Sequence, residues 1–304
     1  MKAIIRNATE ADLKAAVHVF LTTLADLKRR HGAPRQDMDE ADWASGYEHV
    51  LKTGIFNVAE VDGQVIGVAN GIVRDDLWFL TGFWILPEYQ GKGIGHELIR
   101  DTWDLAEEAG AKKFFVWASI DLPALGNYMQ LGMLPGYQIF TYKLSRETLD
   151  AAPGRTAGGA IVKADFVGDY KTVDLTAIKA GDIDAQIRGT RREIDHQYWL
   201  KDPDRVGQLV LYDDCPVGYF YTRKGTVGAL AYLDIAHEQA VMDFAMQQAL
   251  KQDESIVFII PGINRTATNY IISLGARLVS TSHFLTSDDF GKLNLYLPSG
   301  PLLY

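Results

Sequence analysis

The sequence has a single cysteine, Cys215, among its 304 residues. That excludes an intramolecular disulfide and a cysteine-rich metal cluster. Cys215 stands before Pro216 at the start of an apolar run, the setting of a structural thiol rather than a nucleophile. Positive charge is also in short supply: 30 Lys and Arg against 39 Asp and Glu leave a net charge of −9. A clustered basic footprint for nucleic acid or anionic lipid is therefore not expected. No apolar run approaches the ~20 residues that span a bilayer. The opening "MKAIIRNATEADLKAAVHVF" has neither a long apolar core nor a small-residue cleavage site. These absences point to a cytoplasmic protein with no membrane partner.

What is present is the mixture of a soluble globular chain, 47% hydrophobic and 23% charged, long enough for two domains. "AAPGRTAGGA", residues 151–160, has small residues around a proline and no apolar period, the composition of a linker. The expected domains are therefore 1–150 and 151–304. In the first, "KAIIRNA" reads as a strand, and Thr9 caps a helix that carries apolar residues at helical spacing to Leu27. A second helix is expected over 39–51. "GIFNVAEVDGQVIGVANGIV" is two apolar runs about Asp62-Gly63, a hairpin signal. "LWFLTGFWIL" is a third strand, and residues 94–109 read as an amphipathic helix. The strand "KKFFVWASI", a short helix over 122–131 and the strand "YQIFTYKLS" complete a mixed α/β order.

The second half repeats this order. At an offset of 143, Phe115, Ala124, Leu131 and Gly132 fall on Phe258, Ala267, Leu274 and Gly275. Gly67 corresponds to Gly218 at an offset of 151, so about eight residues are missing between the second hairpin and its helix. Those residues are the distinctive ones. Where the first half has "PEYQGKGIG", the second has "YLDIAHEQA", which contains no glycine.

A strand, glycines and a helix start suit an anion, because free N–H groups and the helix dipole favour negative charge there. A Walker loop needs Lys followed by Ser or Thr, and the dinucleotide pattern needs glycine at His96; neither is met. Gln90-Gly91-Lys92-Gly93-Ile94-Gly95 does follow the Q-x-x-G-x-G pattern and in this context resembles the pyrophosphate loop of the GCN5-related N-acetyltransferases. The resemblance covers the first ~145 residues by element order and implies two tandem domains of this kind, each a mixed, mostly antiparallel sheet flanked by helices. It implies that Gln90, Gly91, Lys92, Gly93, Ile94 and Gly95 hold the pyrophosphate of coenzyme A. It also implies that the backbone of Phe83, Trp84, Ile85 and Leu86 pairs with the pantetheine arm. His96 reads as a surface residue, and with no second ligand at i+4 it makes no metal site.

"DLPALGNYMQLGM" resembles the second signature of that family, N-x-x-A-x-x-x-Y-x-x-x-G, at Asp121, Ala124, Tyr128 and Gly132. The resemblance makes Tyr128 the general acid, a role suited to a hydroxyl that stays protonated until thiolate leaves. It places Asp121 and Asn127 beside the coenzyme. Asp121 departs from the pattern, since a carboxylate accepts hydrogen bonds but cannot donate them. In the second half Ile271 stands where Tyr128 stands in the first, so this half is read as a degenerate copy lacking both loop and acid.

Transfer to an amine also requires a base. Glu60 is the candidate, with Asp75 and Asp76 as alternatives, each equally readable as a strand-end charge. Residues 29–43, with Asp37, Met38, Asp39 and Glu40, lie where the family forms part of its acceptor wall. The leading reading is thus an acetyl-CoA-dependent N-acyltransferase acting on a primary amine of a small molecule or peptide. A non-catalytic acyl-CoA sensor and a purely structural protein are the alternatives. No metal is called for, and a homodimer is compatible with the sequence.

Overall fold

The computed structural model describes residues 2–32, 40–152 and 169–304. Asp37, Met38 and Asp39, and residues 153–160 of the expected linker, lie outside them. The chain divides into two compact units, Met1–Pro135 with Leu285–Asp288, and Gly136–Phe284 with Asp289–Tyr304. This division differs from one at residues 151–160, because residues 136–150 of the first half are counted with the second unit and residues 285–288 of the second half with the first.

The first unit runs β1 (Ile4–Asn7), α1 (Leu13–Arg30), α2 (Glu40–Thr53), β2 (Ile55–Val61), β3 (Gln64–Arg74), β4 (Leu77–Ile85), α3 (Ile94–Glu108), β5 (Lys113–Ala118) and α4 (Leu122–Gln130). Strands β1 to β4 pair antiparallel in sequence order, and β5 joins β4 in parallel. Beside β5, the Ser287 N–H donates to the Phe114 carbonyl at 2.8 Å. Asp62 and Gly63 have φ of 52° and 80°, as expected of a two-residue turn whose twist matches its strands.

Alternation along β2 shows how the helices are layered. The Phe56 ring meets Tyr47 of α2 at 5.3 Å, while the next residue, Asn57, donates to Thr102 of α3 at 3.2 Å. Successive side chains point to opposite faces, so α1 and α2 cover one face and α3 the other. Helix α1 buries Ala16, Val17, Phe20, Thr23 and Leu27, the spacing of one helical stripe. It begins later than expected, after a 3-10 turn over Glu10–Asp12. Asp12 accepts from the Thr9 N–H and hydroxyl, both at 2.8 Å, and its carboxyl is held well below the usual range, mainly by Arg6.

The second unit takes β6 (Leu134–Ser145) from Gly136 onward, then α5 (Arg146–Asp150), β7 (Tyr170–Asp174), α6 (Ala177–Ile187), α7 (Glu193–Leu200), β8 (Arg205–Tyr212), β9 (Cys215–Arg223) and β10 (Thr226–Tyr232). It closes with α8 (Glu238–Ala249), β11 (Ser255–Pro261), α9 (Arg265–Ser273), β12 (Arg277–Thr286) and β13 (Tyr296–Leu297). Strand β6 pairs antiparallel with β11 from Ser145↔Ser255 to Ile139↔Pro261. In α9, Ile271 is fully buried, and the neighbouring Tyr270 turns aside to donate to Asp243 at 2.5 Å. No helix among the described residues is long and apolar enough to cross a membrane.

Candidate active site

Strand β4 changes neighbours along its length. It pairs with β5 only from Leu77↔Lys113 to Leu80↔Val116, while its ladder with β3 continues to Gly67↔Ile85. That ladder slips between Asn70↔Gly82 and Gly71↔Leu80, leaving Thr81 as a bulge. A bulge bends its strand and raises the local twist, so β4 parts from β5 beyond Leu80 and a gap opens.

The backbone groups facing that gap follow from the register. The Leu86 N–H donates to the Ile66 carbonyl at 2.9 Å. By strand alternation, Trp84 and Leu86 direct their polar groups into β3, whereas Phe83 and Ile85 direct theirs into the gap. The Ile85 carbonyl is already engaged by Thr23 Oγ1 at 3.2 Å and Gln90 Nε2 at 2.8 Å. What remains is the Phe83 N–H and carbonyl and the Ile85 N–H. The expectation that all four residues offer backbone groups is thereby corrected to two.

After β4 a 3-10 turn over Pro87–Tyr89 leads into the glycine loop. Gly91 and Gly93 have φ of 72° and 84°, and a Cβ at either would meet nothing within 4 Å. Their need for glycine is conformational. At Gly95 it is steric, since a Cβ there would lie 3.1 Å from the Phe83 ring. Gly93 is the N-cap of α3 and has no side-chain cap. The N–H groups of residues 91–95 find no acceptor among the described residues. Exposed N–H groups at a helix start, with the dipole behind them, form an anion site.

Loop and gap border one cavity of about 460 Å³. Of the residues expected at the site, Phe83, Trp84, Ile85, Gln90, Gly91, Gly93, Gly95, Asp121, Asn127 and Tyr128 line it. Leu86, Lys92 and Ile94 do not: Leu86 and Ile94 are turned into the core, and the Lys92 ammonium lies 5.2 Å over the Tyr89 ring. Thr23 and Leu27 of α1, Thr81, Trp117 and Ser119 also line the cavity. No motif marks these five; Thr23 and Leu27, four apart on α1, look in sequence like part of its buried stripe.

Tyr128 is 5% exposed, with its ring 6.0 Å from that of Phe83. Burial, reinforced by Asp121, pushes its hydroxyl well above the ordinary tyrosine value. It is thus neutral and a donor at any physiological pH.

Asp121 serves the fold first. It is the N-cap of α4, accepting from the Ala124 N–H at 3.4 Å, and its other oxygen takes Arg30 Nη2 at 3.3 Å. In the second unit Asn264 caps α9 in the same way, through the Ala267 N–H at 3.2 Å. The position is a helix cap in both halves, independent of any ligand. Asp121→Ala is expected to lower stability by about 1 kcal/mol in denaturant titration, and Asp121→Asn by much less, since Asn caps equally well.

Glu60 is a correction. It does not line the cavity, and Arg6 grips its carboxylate through Nε at 2.9 Å and Nη2 at 2.7 Å while also holding Asp12. Engaged by the guanidinium and set outside the lining, this carboxylate is not placed to take a proton from an amine in the cavity. Asp75 and Asp76, in the β3–β4 turn, are likewise outside the lining.

Residues 19–133 match the model of the Acetyltransferase (GNAT) family. Over 92 residues the chain is 36% identical to a Bacillus subtilis (strain 168) protein provisionally named a ribosomal protein bS18-alanine N-acetyltransferase. That match covers 30% of this chain and 56% of the relative, so the chain spans about half the relative's length. A provisionally named acetyltransferase from Pyrococcus horikoshii has a similar structure, with a TM-score of 0.75 at 16% identity over 99% of this chain and 96% of that one. A tandem GNAT protein from the clavulanic acid biosynthesis pathway gives a TM-score of 0.59 at 13% identity over 94% and 98% of the two chains. Likeness at such identities speaks for the fold. The parted strands and the bare helix start lie within residues 19–133, the stretch that matches the model of the Acetyltransferase (GNAT) family.

Proposed function

We propose that the protein is an N-acetyltransferase that moves an acetyl group from acetyl-coenzyme A to a primary amine of a small molecule or peptide. The observation that carries this reading is the run of unmet N–H groups at residues 91–95, opening on the same cavity as the unpaired edge of β4. The first suits a pyrophosphate, and the second suits an amide-bearing arm held as an added strand. Bound acetyl-coenzyme A supplies the thioester that an amine can attack. The Phe83 N–H and carbonyl and the Ile85 N–H orient the arm, and the half-buried ring of Phe83 with the buried ring of Tyr128 excludes water near its end. Tyr128 holds a proton at Oη for the departing sulfur, a task its raised pKa suits. Among the described lining residues the one carboxylate is Asp121, already engaged by Ala124 and Arg30. The amine's proton therefore leaves to solvent or by way of His96, the one imidazole among the described lining residues. The Bacillus relative, named for an alanine amine of a ribosomal protein, supports an amine as acceptor.

The test is thiol release by the intact chain from acetyl-coenzyme A across a panel of primary amines. Acceptor-dependent release is expected. Thermal stabilisation by coenzyme A with no release for any amine would instead favour a non-catalytic acyl-coenzyme A sensor, the reading to which the engaged Asp121 lends weight. Absence of both stabilisation and release would overturn both readings. In the same assay Glu60→Gln is expected to keep kcat within about twofold while lowering stability by roughly 1 kcal/mol, through the weakened grip of Arg6. A hundredfold loss of kcat at unchanged stability would restore Glu60 as the base.

A further inference from the structure

The second unit repeats the parted strands of the first, but there the gap is filled. Strand β10 pairs in parallel with β11 only at Thr226↔Val257 and Val227↔Phe258. Its ladder with β9 shifts between Val227 and Leu230, as the ladder of β4 with β3 shifts at Thr81. Beyond the shift β10 has another partner, β13, at Leu230↔Leu297 and Ala231↔Tyr296. We infer that residues 293–304 are a strap bound as a strand in the gap that corresponds to the first unit's coenzyme gap, and that they close the second unit to acyl-coenzyme A.

Three independent features support the strap. Gly228 has φ of 140°, and a Cβ there would lie 2.2 Å from the Pro298 carbonyl oxygen; only glycine admits the strap so close to β10. The strap is also anchored: Tyr296, Leu297, Leu303 and Tyr304 are each at most 2% exposed. Buried Arg192 donates to the Tyr296 hydroxyl at 2.7 Å and to the Tyr304 carbonyl at 2.5 Å, while its Nε is held by buried Asp184 at 2.5 Å. Charge and donors buried in this way are tolerable because each finds a partner. Finally, the helix start that would receive a phosphate is already occupied by carboxylates. Asp234 accepts the Ala236 N–H at 2.9 Å, and buried Glu238, in the first turn of α8, accepts from Thr266 at 2.7 Å and from the Tyr232 hydroxyl. Negative charge there repels the anion that the bare N–H groups of residues 91–95 attract.

The consequence is one coenzyme site per chain. That consequence rests on the reading of the first unit given above; the strap itself does not. Hydrogen exchange with mass spectrometry on the intact chain tests the strap directly. Peptides from residues 293–304 are expected to exchange at least 100-fold more slowly than free chain, and Gly228→Ala to speed them at least tenfold while leaving β2 and β3 unchanged. Exchange of residues 293–304 at the rate of free chain overturns the strap, and this native measurement decides the matter even if the variant does not fold. Calorimetric titration with acetyl-coenzyme A is expected to saturate at one per chain. Binding that saturates at two per chain overturns the closure. Absence of any binding by the native chain would count against the first unit's assignment and would leave the exchange result standing.

Discussion

Gly93→Val is expected to weaken coenzyme A binding about 100-fold, read by calorimetry as a change in Kd. Gly93 caps α3 at a φ of 84°, a conformation costing an L-residue roughly 1–2 kcal/mol and a β-branched one more. The helix start relieves that cost by relaxing to negative φ, which turns the N–H groups of the loop away from a common point. Losing one or two hydrogen bonds to a charged group, each about 1.5–3 kcal/mol, amounts to about 3 kcal/mol, or two orders of magnitude in affinity. The fold should survive, because a Cβ at Gly93 meets nothing within 4 Å. The loss should therefore appear in binding, with destabilisation of no more than roughly 2 kcal/mol. Affinity within a few-fold of the native value would remove the loop from the coenzyme site.

Tyr128→Phe is expected to lower kcat by about 10²–10⁴, the range for loss of a general acid, with KM for acetyl-coenzyme A nearly unchanged. The ring stays, so the packing with Leu80, Val116 and Met133 stays with it. Loss of turnover therefore could not be ascribed to unfolding. The pH dependence has a definite sign. Burial raises the folded-state pKa of Tyr128 above its unfolded value near 10, so its stabilisation is fully present below pH 10 and is lost as pH rises beyond that. No alkaline fall in kcat with an apparent pKa near 10 should be seen in the native protein. A native profile falling at that pH, with Tyr128→Phe fully active, would assign the acid elsewhere.

Much of this architecture is legible in local sequence. The hairpin at Asp62-Gly63 and the apolar stripe of α3 follow from a turn dipeptide and from period, both properties of neighbouring residues. The glycine loop is visible for the same reason, but why each glycine is needed is not: crowding by Phe83 governs Gly95, and backbone conformation governs Gly91 and Gly93. Asp121 shows a different limit. Its place in a motif is plain, but whether a carboxylate there touches a ligand or caps a helix depends on where the Ala124 N–H and Arg30 lie. Glu60 illustrates the same point more sharply, since its partner Arg6 is 54 residues away.

By itself, then, the sequence determined the elements, the repeat and the asymmetry between its halves, because each is written in residues adjacent on the chain or in a fixed offset. The tertiary structure alone decided which backbone groups face the gap, that β6 is counted with the second unit, and what fills the second gap. These depend on a one-residue bulge at Thr81 and on pairings such as β6 with β11 and β10 with β13. Such pairings join residues far apart in the chain through backbone hydrogen bonds that every residue type can make, and they leave no periodic trace in the sequence.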